Sequence, residues 1–214
     1  MNTSKKNSRR APYVNPYIRA TKAFANGAEE SEIILGLDLS LRKTGVALLW
    51  NLDYETLLIE PPDDLRDGGR LLFIERELRA VVNAYEPNYA VIEGYSYGSP
   101  TGQFALGEVG GIARLVLTGN QIPYIIVPPT SLKKYVTGNG NATKIMMALQ
   151  VQEELGLAIH DDNECDAYCL AAVGSHVFES NLVDFKSNET RDKIVRDIKH
   201  NPLSHPKSKK PRSK

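Results

Sequence analysis

Asp38, Glu93, Asp162 and Asp166 span more than 120 residues, yet each stands at the edge of an apolar or helix-forming segment. Carboxylates brought to one point repel unless divalent cations sit among them, and hard oxygen ligands favour Mg2+ or Mn2+ over softer metals. Two such ions about 3.5 to 4 Å apart stabilise both the attacking and the leaving oxygen of a phosphodiester displacement. These residue types are therefore the ones a two-metal nuclease needs.

The elements around the acids give them a common destination. Asp38 closes the apolar run 33–37 and Glu93 closes 89–92, so each lies where a buried strand reaches the surface. A charge within such a strand is costly to bury. Asp162 and Asp166 are four apart at the head of a predicted helix and share one of its faces. Two strand ends and one helix face can then converge. Blander roles compete for two of the acids: Asp38 as a turn former or cap, Asp162 as the N-cap of its helix with Asp161 and Glu164 complementing the dipole. Glu93 is a poor turn residue, and Asp166 lies inside its helix, where capping does not explain it.

The chain of 214 residues is long enough for one well-cored domain with tails. Its formal charge is zero, but unevenly distributed. Residues 1–30 hold six Lys or Arg against two acids and 181–214 hold ten against four, which leaves the middle near −10. An acidic body with basic arms suits a protein that holds metals in one place and phosphates in others. The organisation expected is a basic arm over 1–30, a domain over 31–180 and a basic extension over 181–214. Cys165 and Cys169, four apart on one helix, suit apolar packing rather than a disulfide or a zinc site. No run reaches the roughly 18 to 20 apolar residues of a membrane span, and the polar N-terminus lacks a signal-peptide core. A soluble protein of the cytoplasm is expected, with no membrane partner and no nucleotide cofactor.

Runs at 33–38, 45–50 and 54–59, separated by turn-length gaps, predict an antiparallel meander. Apolar residues at helical spacing follow from Leu71 to Val82, then a strand over 89–93 and a helix over 104–117 carrying Gly107, Gly110, Gly111 and Ala113. Such small residues let another backbone approach closely, that of the sheet or of a second subunit. A strand over 122–127 and helices over 129–136, 143–155 and 162–177 complete an α/β sheet of mixed direction.

Between the last strand and the last helix runs Lys133-Lys134-Tyr135-Val136-Thr137-Gly138-Asn139-Gly140-Asn141-Ala142-Thr143-Lys144. Gly138 and Gly140 permit tight turns, loop amides and the following helix N-terminus can hold an anionic oxygen, and Lys133 and Lys144 supply cations. It lacks the ending of a Walker loop. This segment resembles the Lys-x-x-x-Thr-Gly-x-Gly-x-Ala-x-Lys stretch of RuvC-type Holliday junction resolvases. Gly36-Leu37-Asp38-Leu39-Ser40, Thr44-Gly45-Val46-Ala47, Val91-Ile92-Glu93, the helix around Leu106 to Gly111, and Asp166-Ala167 fall in the family's order at similar spacing. The resemblance spans about residues 32–178, and the arms beyond it look more like the phage branch, in which case the host cytoplasm is the setting.

The resemblance implies an RNase H-like fold, a five-stranded mixed sheet flanked by helices. It implies a homodimer, formed near Gly107 to Gly111, that cuts four-way DNA junctions by paired nicks with two Mg2+ per site, Mn2+ substituting. Asp38, Glu93 and Asp166 would be metal-binding carboxylates, with Asp38 between the ions. Lys144 would stabilise charge on the scissile phosphate, and Lys133, with Lys134 beside it, would hold the DNA backbone. Two departures stand out. Where relatives carry Asp or His three residues before the last Asp, this chain has Asn163, so Asp162 is the substitute, ahead of Asp161 and His160. After Glu93 the family places an aromatic that stacks at the junction centre, and here Tyr95 and Tyr97 are both available. A flap or branched-DNA nuclease of the same fold, or a junction-binding protein without catalysis, are the alternatives.

Overall fold

A computed structural model describes residues 32–95, 100–180 and 182–201, those at 100–103 by backbone alone. Strands β1 (Ile34–Asp38), β2 (Thr44–Trp50) and β3 (Asp53–Ile59) form the expected meander. Helix α1 (Asp67–Tyr85) leads to β4 (Tyr89–Glu93), and α2 (Pro100–Gly119) to β5 (Tyr124–Val127). Then come α3 (Pro129–Thr137), α4 (Lys144–Leu155), α5 (Asp162–Val177) and α6 (Glu189–His200). The sheet order is β3-β2-β1-β4-β5, with β1 antiparallel to β2 and parallel to β4.

β1 is buried along its whole length because helices cover both faces of the sheet. Alternation assigns its side chains: Ile34 packs in the cluster containing α5, whereas Leu35 and Leu37 pack in the cluster containing α1 and α2. In α1, Ile74, Leu78, Val81, Val82 and Tyr85 make one apolar stripe. Glu86, in the left-handed region at φ 49°, ends it just before Pro87.

Close approach of α5 is the main constraint on the sequence. A Cβ on Gly36 would lie 2.0 Å from the Ala167 carbonyl oxygen, and one on Gly45 2.1 Å from that of Asn163. Both glycines are thus explained by the backbone of α5 lying directly on β1 and β2.

Residues 182–201, part of the stretch that composition assigned to an extension, pack on the domain through α6. Ile194 and Ile198 are buried in the α5 cluster, Asn188 caps the helix, and Arg191 is 3% exposed. The charged residues around them mask this short apolar stripe in the composition. The arm over 1–30 and residues 202–214 lie outside the described residues. Among the described residues no helix is long and apolar enough to cross a membrane.

Candidate active site

The period of two that buries β1 and β4 also aims their last residues. Gly36 and Val91 face α5, so Asp38 and Glu93, two residues on, face it as well. The parallel register pairs Leu37 with Ile92, and one further step sets Asp38 beside Glu93. Asp38 does not emerge into solvent, as its strand-end position suggests, but stays 8% exposed; Glu93 is half-buried.

Burial and each other's charge govern this pair. Asp38 is pushed up to about 7 by burial and by Asp166, with a hydrogen bond from Glu93 as the main opposing effect. Burial, then Asp38 and Asp166, push Glu93 well up, and the hydrogen bond between the two carboxyls pushes it the same way. Burial also raises Asp166, against the pull of Lys144, whose ammonium stands 3.5 Å away. Although burial opposes its charge, Lys144 is raised overall by Asp166, Asp38 and Asp162, so it stays protonated. Lys133 also acts on Asp166. Lys144 thus reaches the acids and Lys133 acts on them by its charge, whereas Lys134 lines a groove against α6.

The glycine loop works differently from the expected amide cradle. Gly138 takes the left-handed conformation at φ 78° and ends α3, while Gly140 lies where a Cβ would be 3.2 Å from the Thr130 carbonyl oxygen. The amides of Gly138, Asn139, Asn141 and Ala142 donate inside the segment, to the Lys134 carbonyl, Thr137 Oγ1, Asn139 Oδ1 and the Asn139 carbonyl. Thr143 caps α4 through the Met146 amide. The loop sets the relative placement of two lysines, and the lysines supply the positive charge.

At the departing position, capping belongs to Asp161 rather than Asp162. Asp161 accepts from the Asn163 and Glu164 amides and pairs with Lys43 at 2.7 Å. The carbonyl of Asn163 faces Gly45, and His160 is exposed in the preceding loop. Asp162 is exposed in the first turn of α5, with its charge felt by Lys144 and Asp166. Lys43, which no sequence pattern singled out, ties the β1–β2 turn to α5; its place in a short polar turn carried no signal of that long-range pairing.

Tyr95 is an anchor in this structure. Its hydroxyl accepts from Arg114 at 2.9 Å and lies 2.5 Å from where a Cβ on Gly110 would stand. Tyr97 lies outside the described residues. Gly110 therefore serves a tyrosine of the same chain, while a Cβ on Gly107 or Gly111 would meet nothing within 4 Å.

Among the described residues no three His, Cys, Asp or Glu side chains are placed so that they could hold a metal ion without moving. The donor set nonetheless fits a hard divalent cation, because buried carboxylates whose mutual repulsion holds a proton between them bind one well when that proton leaves. Asp38, Glu93 and Asp166 are the residues able to hold it, with Asp162 at the rim.

The family model described as crossover junction endodeoxyribonuclease RuvC matches residues 34–174. The protein of that name from Prochlorococcus marinus (strain MIT 9211) is 30% identical over 146 residues, which cover 65% of this chain and 92% of the relative. That from Brachyspira hyodysenteriae is 30% identical over 173 residues, covering 78% and 99%. Among solved structures, T. thermophilus RuvC in complex with Holliday junction substrate superposes with a TM-score of 0.59 at 20% identity, over 70% of this chain and 94% of that one. The Thermus thermophilus RuvC structure gives 0.56 at 18%. The likeness in shape shows the shared RNase H-like fold.

Proposed function

Since the chain belongs to the RuvC family of crossover junction endodeoxyribonucleases, we propose that it is a divalent-metal-dependent endonuclease that resolves four-way DNA junctions by paired nicks. The observation that carries this reading is the meeting of Asp38, Glu93 and Asp166 with Lys144 at the carboxyl ends of the adjacent parallel strands β1 and β4, where open α/β sheets hold their ligands. Mg2+ is the cation proposed, held by Asp38, Glu93 and Asp166 with Asp162 as the fourth carboxylate. Bound there, it would lower the pKa of an attacking water and stabilise the leaving oxygen.

The chain's own groups do the rest. Lys144, kept protonated by three acids, faces the non-bridging oxygens of the scissile phosphate. Lys133 holds the neighbouring backbone. No covalent enzyme intermediate is needed. Junction recognition rests on shape and phosphate spacing.

A homodimer supplies the two sites that paired nicks require. It is supported by the outer face of α2, where Phe104 and Leu115 are 81% and 74% exposed and Gly107 and Gly111 are open to close approach.

The test is cleavage of a synthetic four-way junction, a flap and a linear duplex with Mg2+. Wild type is expected to cut the junction in preference to the others. Asp38→Asn is expected to bind the junction and not cut it. Cutting by the variant, or equal cutting of linear duplex, would overturn the assignment.

A further inference from the structure

Arg191 lies in α6, beyond the residues that match the family model. A buried cation persists only where its donors and charge are matched. The guanidinium of Arg191 meets five acceptors: Nε donates to the Tyr135 carbonyl at 2.9 Å, Nη2 to the Val136 carbonyl at 3.1 Å and Glu154 Oε2 at 2.7 Å, and Nη1 to Glu154 Oε1 and, at 2.7 Å, the Lys186 carbonyl. Its Cζ stacks 4.5 Å from the Phe185 ring and 5.5 Å from the Tyr135 ring.

Apart from the Lys186 carbonyl, which lies just before α6, the acceptors belong to the two helices that carry the proposed DNA-contacting lysines. Tyr135 and Val136 are in the last turn of α3, where carbonyls lack partners within the helix, and Glu154 is in the last turn of α4. Lys133 stands one turn back on α3, and Lys144 is the first residue of α4, about 16 Å along the axis from Leu155. The segment between them is short and internally bonded. With the last turn of α3, which adjoins the loop, tied to the last turn of α4, which lies far from it, rotation of α4 about its loop is blocked, and with it the sideways movement of Lys144 past Asp166.

Resting on the reading of Lys144 given above, we infer that Arg191 is a positioning residue for strand cutting, acting through the α3–α4 pair to hold Lys144 at the scissile phosphate. Helix α6, beyond the residues that the family model matches, then serves strand cutting through the α3–α4 pair.

A double-mutant cycle tests it. Arg191→Met keeps a stem between the two rings and removes all five donors. It is expected to lower the single-turnover cleavage rate about tenfold while junction affinity changes less than twofold. In a Lys144→Ala background the same substitution is expected to lower the rate less than twofold, because the group it positions is already gone. Glu154→Gln, a milder change, should show the same non-additivity at about threefold and serves if Arg191→Met does not fold. Equal losses in both backgrounds, or no loss in either, would overturn the positioning role while the wild type still cuts. A wild type that cuts no junction would instead overturn the functional reading itself.

Discussion

Asp38 illustrates how one buried carboxylate couples stability to activity. Its folded-state pKa, near 7, lies above its ordinary value, so the folded state holds a proton that the unfolded state releases. Its contribution to stability is therefore intact below about pH 4 and is lost as pH rises through about 7. Without divalent ions, wild type should lose on the order of 2–4 kcal/mol between pH 4 and pH 8 through this group. Asp38→Asn should be the more stable protein at pH 8 and show no advantage at pH 4. Urea denaturation of both proteins in EDTA reads this directly; equal stabilities at pH 8 would mean that the acids are not strained. The same shift predicts that Mg2+ affinity rises with pH across 6 to 8 as Asp38 loses its proton, which calorimetry in buffers of different ionisation enthalpy can follow.

At the scale of elements, the glycines divide by what faces them. Gly36 has the Ala167 carbonyl where a Cβ would go, so Gly36→Ala forces α5 off β1 and carries Asp166 away from Asp38. A loss of more than about 3 kcal/mol in unfolding free energy is expected. Gly107 has open space, and alanine there should leave the folded chain as stable or more so, by up to about 1 kcal/mol from helix propensity. Thermal unfolding of the two variants separates the cases. The sequence marked close approach at the small residues of α2 but not at Gly36, because the backbone that faces it, at Ala167, is more than 120 residues away. The loop from Gly138 to Thr143 was readable as a turn; that its amides are taken up internally depends on side chains of Thr137 and Asn139 choosing local partners.

At the scale of the molecule, an acidic body has to approach a polyanion. Cationic groups on the α3–α4 segment provide the local attraction, so junction affinity should fall at least tenfold between 50 and 200 mM salt, measured by gel shift in Ca2+ to prevent cutting. The exposed α2 face is the proposed seat of a second subunit and its site. If the proposed dimer forms there, Leu115→Glu is expected to leave circular dichroism unchanged, give a monomer in sedimentation where the wild type gives a dimer, and replace paired nicks with single ones. A variant that stays dimeric would move the subunit interface elsewhere.

The sequence by itself determined the meander, the strand ends that carry Asp38 and Glu93, and the helix that presents Asp166, because each follows from a local period of two or 3.6, whereas the parallel register of β1 and β4 put the first two acids on one face. Tertiary structure alone decided that Asp161 rather than Asp162 caps α5, since Lys43 and two amides claim it. It also decided that Tyr95 is held by Gly110 and Arg114. The largest difference is α6. Two isoleucines four apart in a charged stretch are a weak local signal, and the partners that make Arg191 a buried residue rather than a solvated one stand 37 to 56 positions away along the chain. Local periodicity carries no information at that distance; only the packed helices bring a cation, two helix ends and a glutamate to the same place.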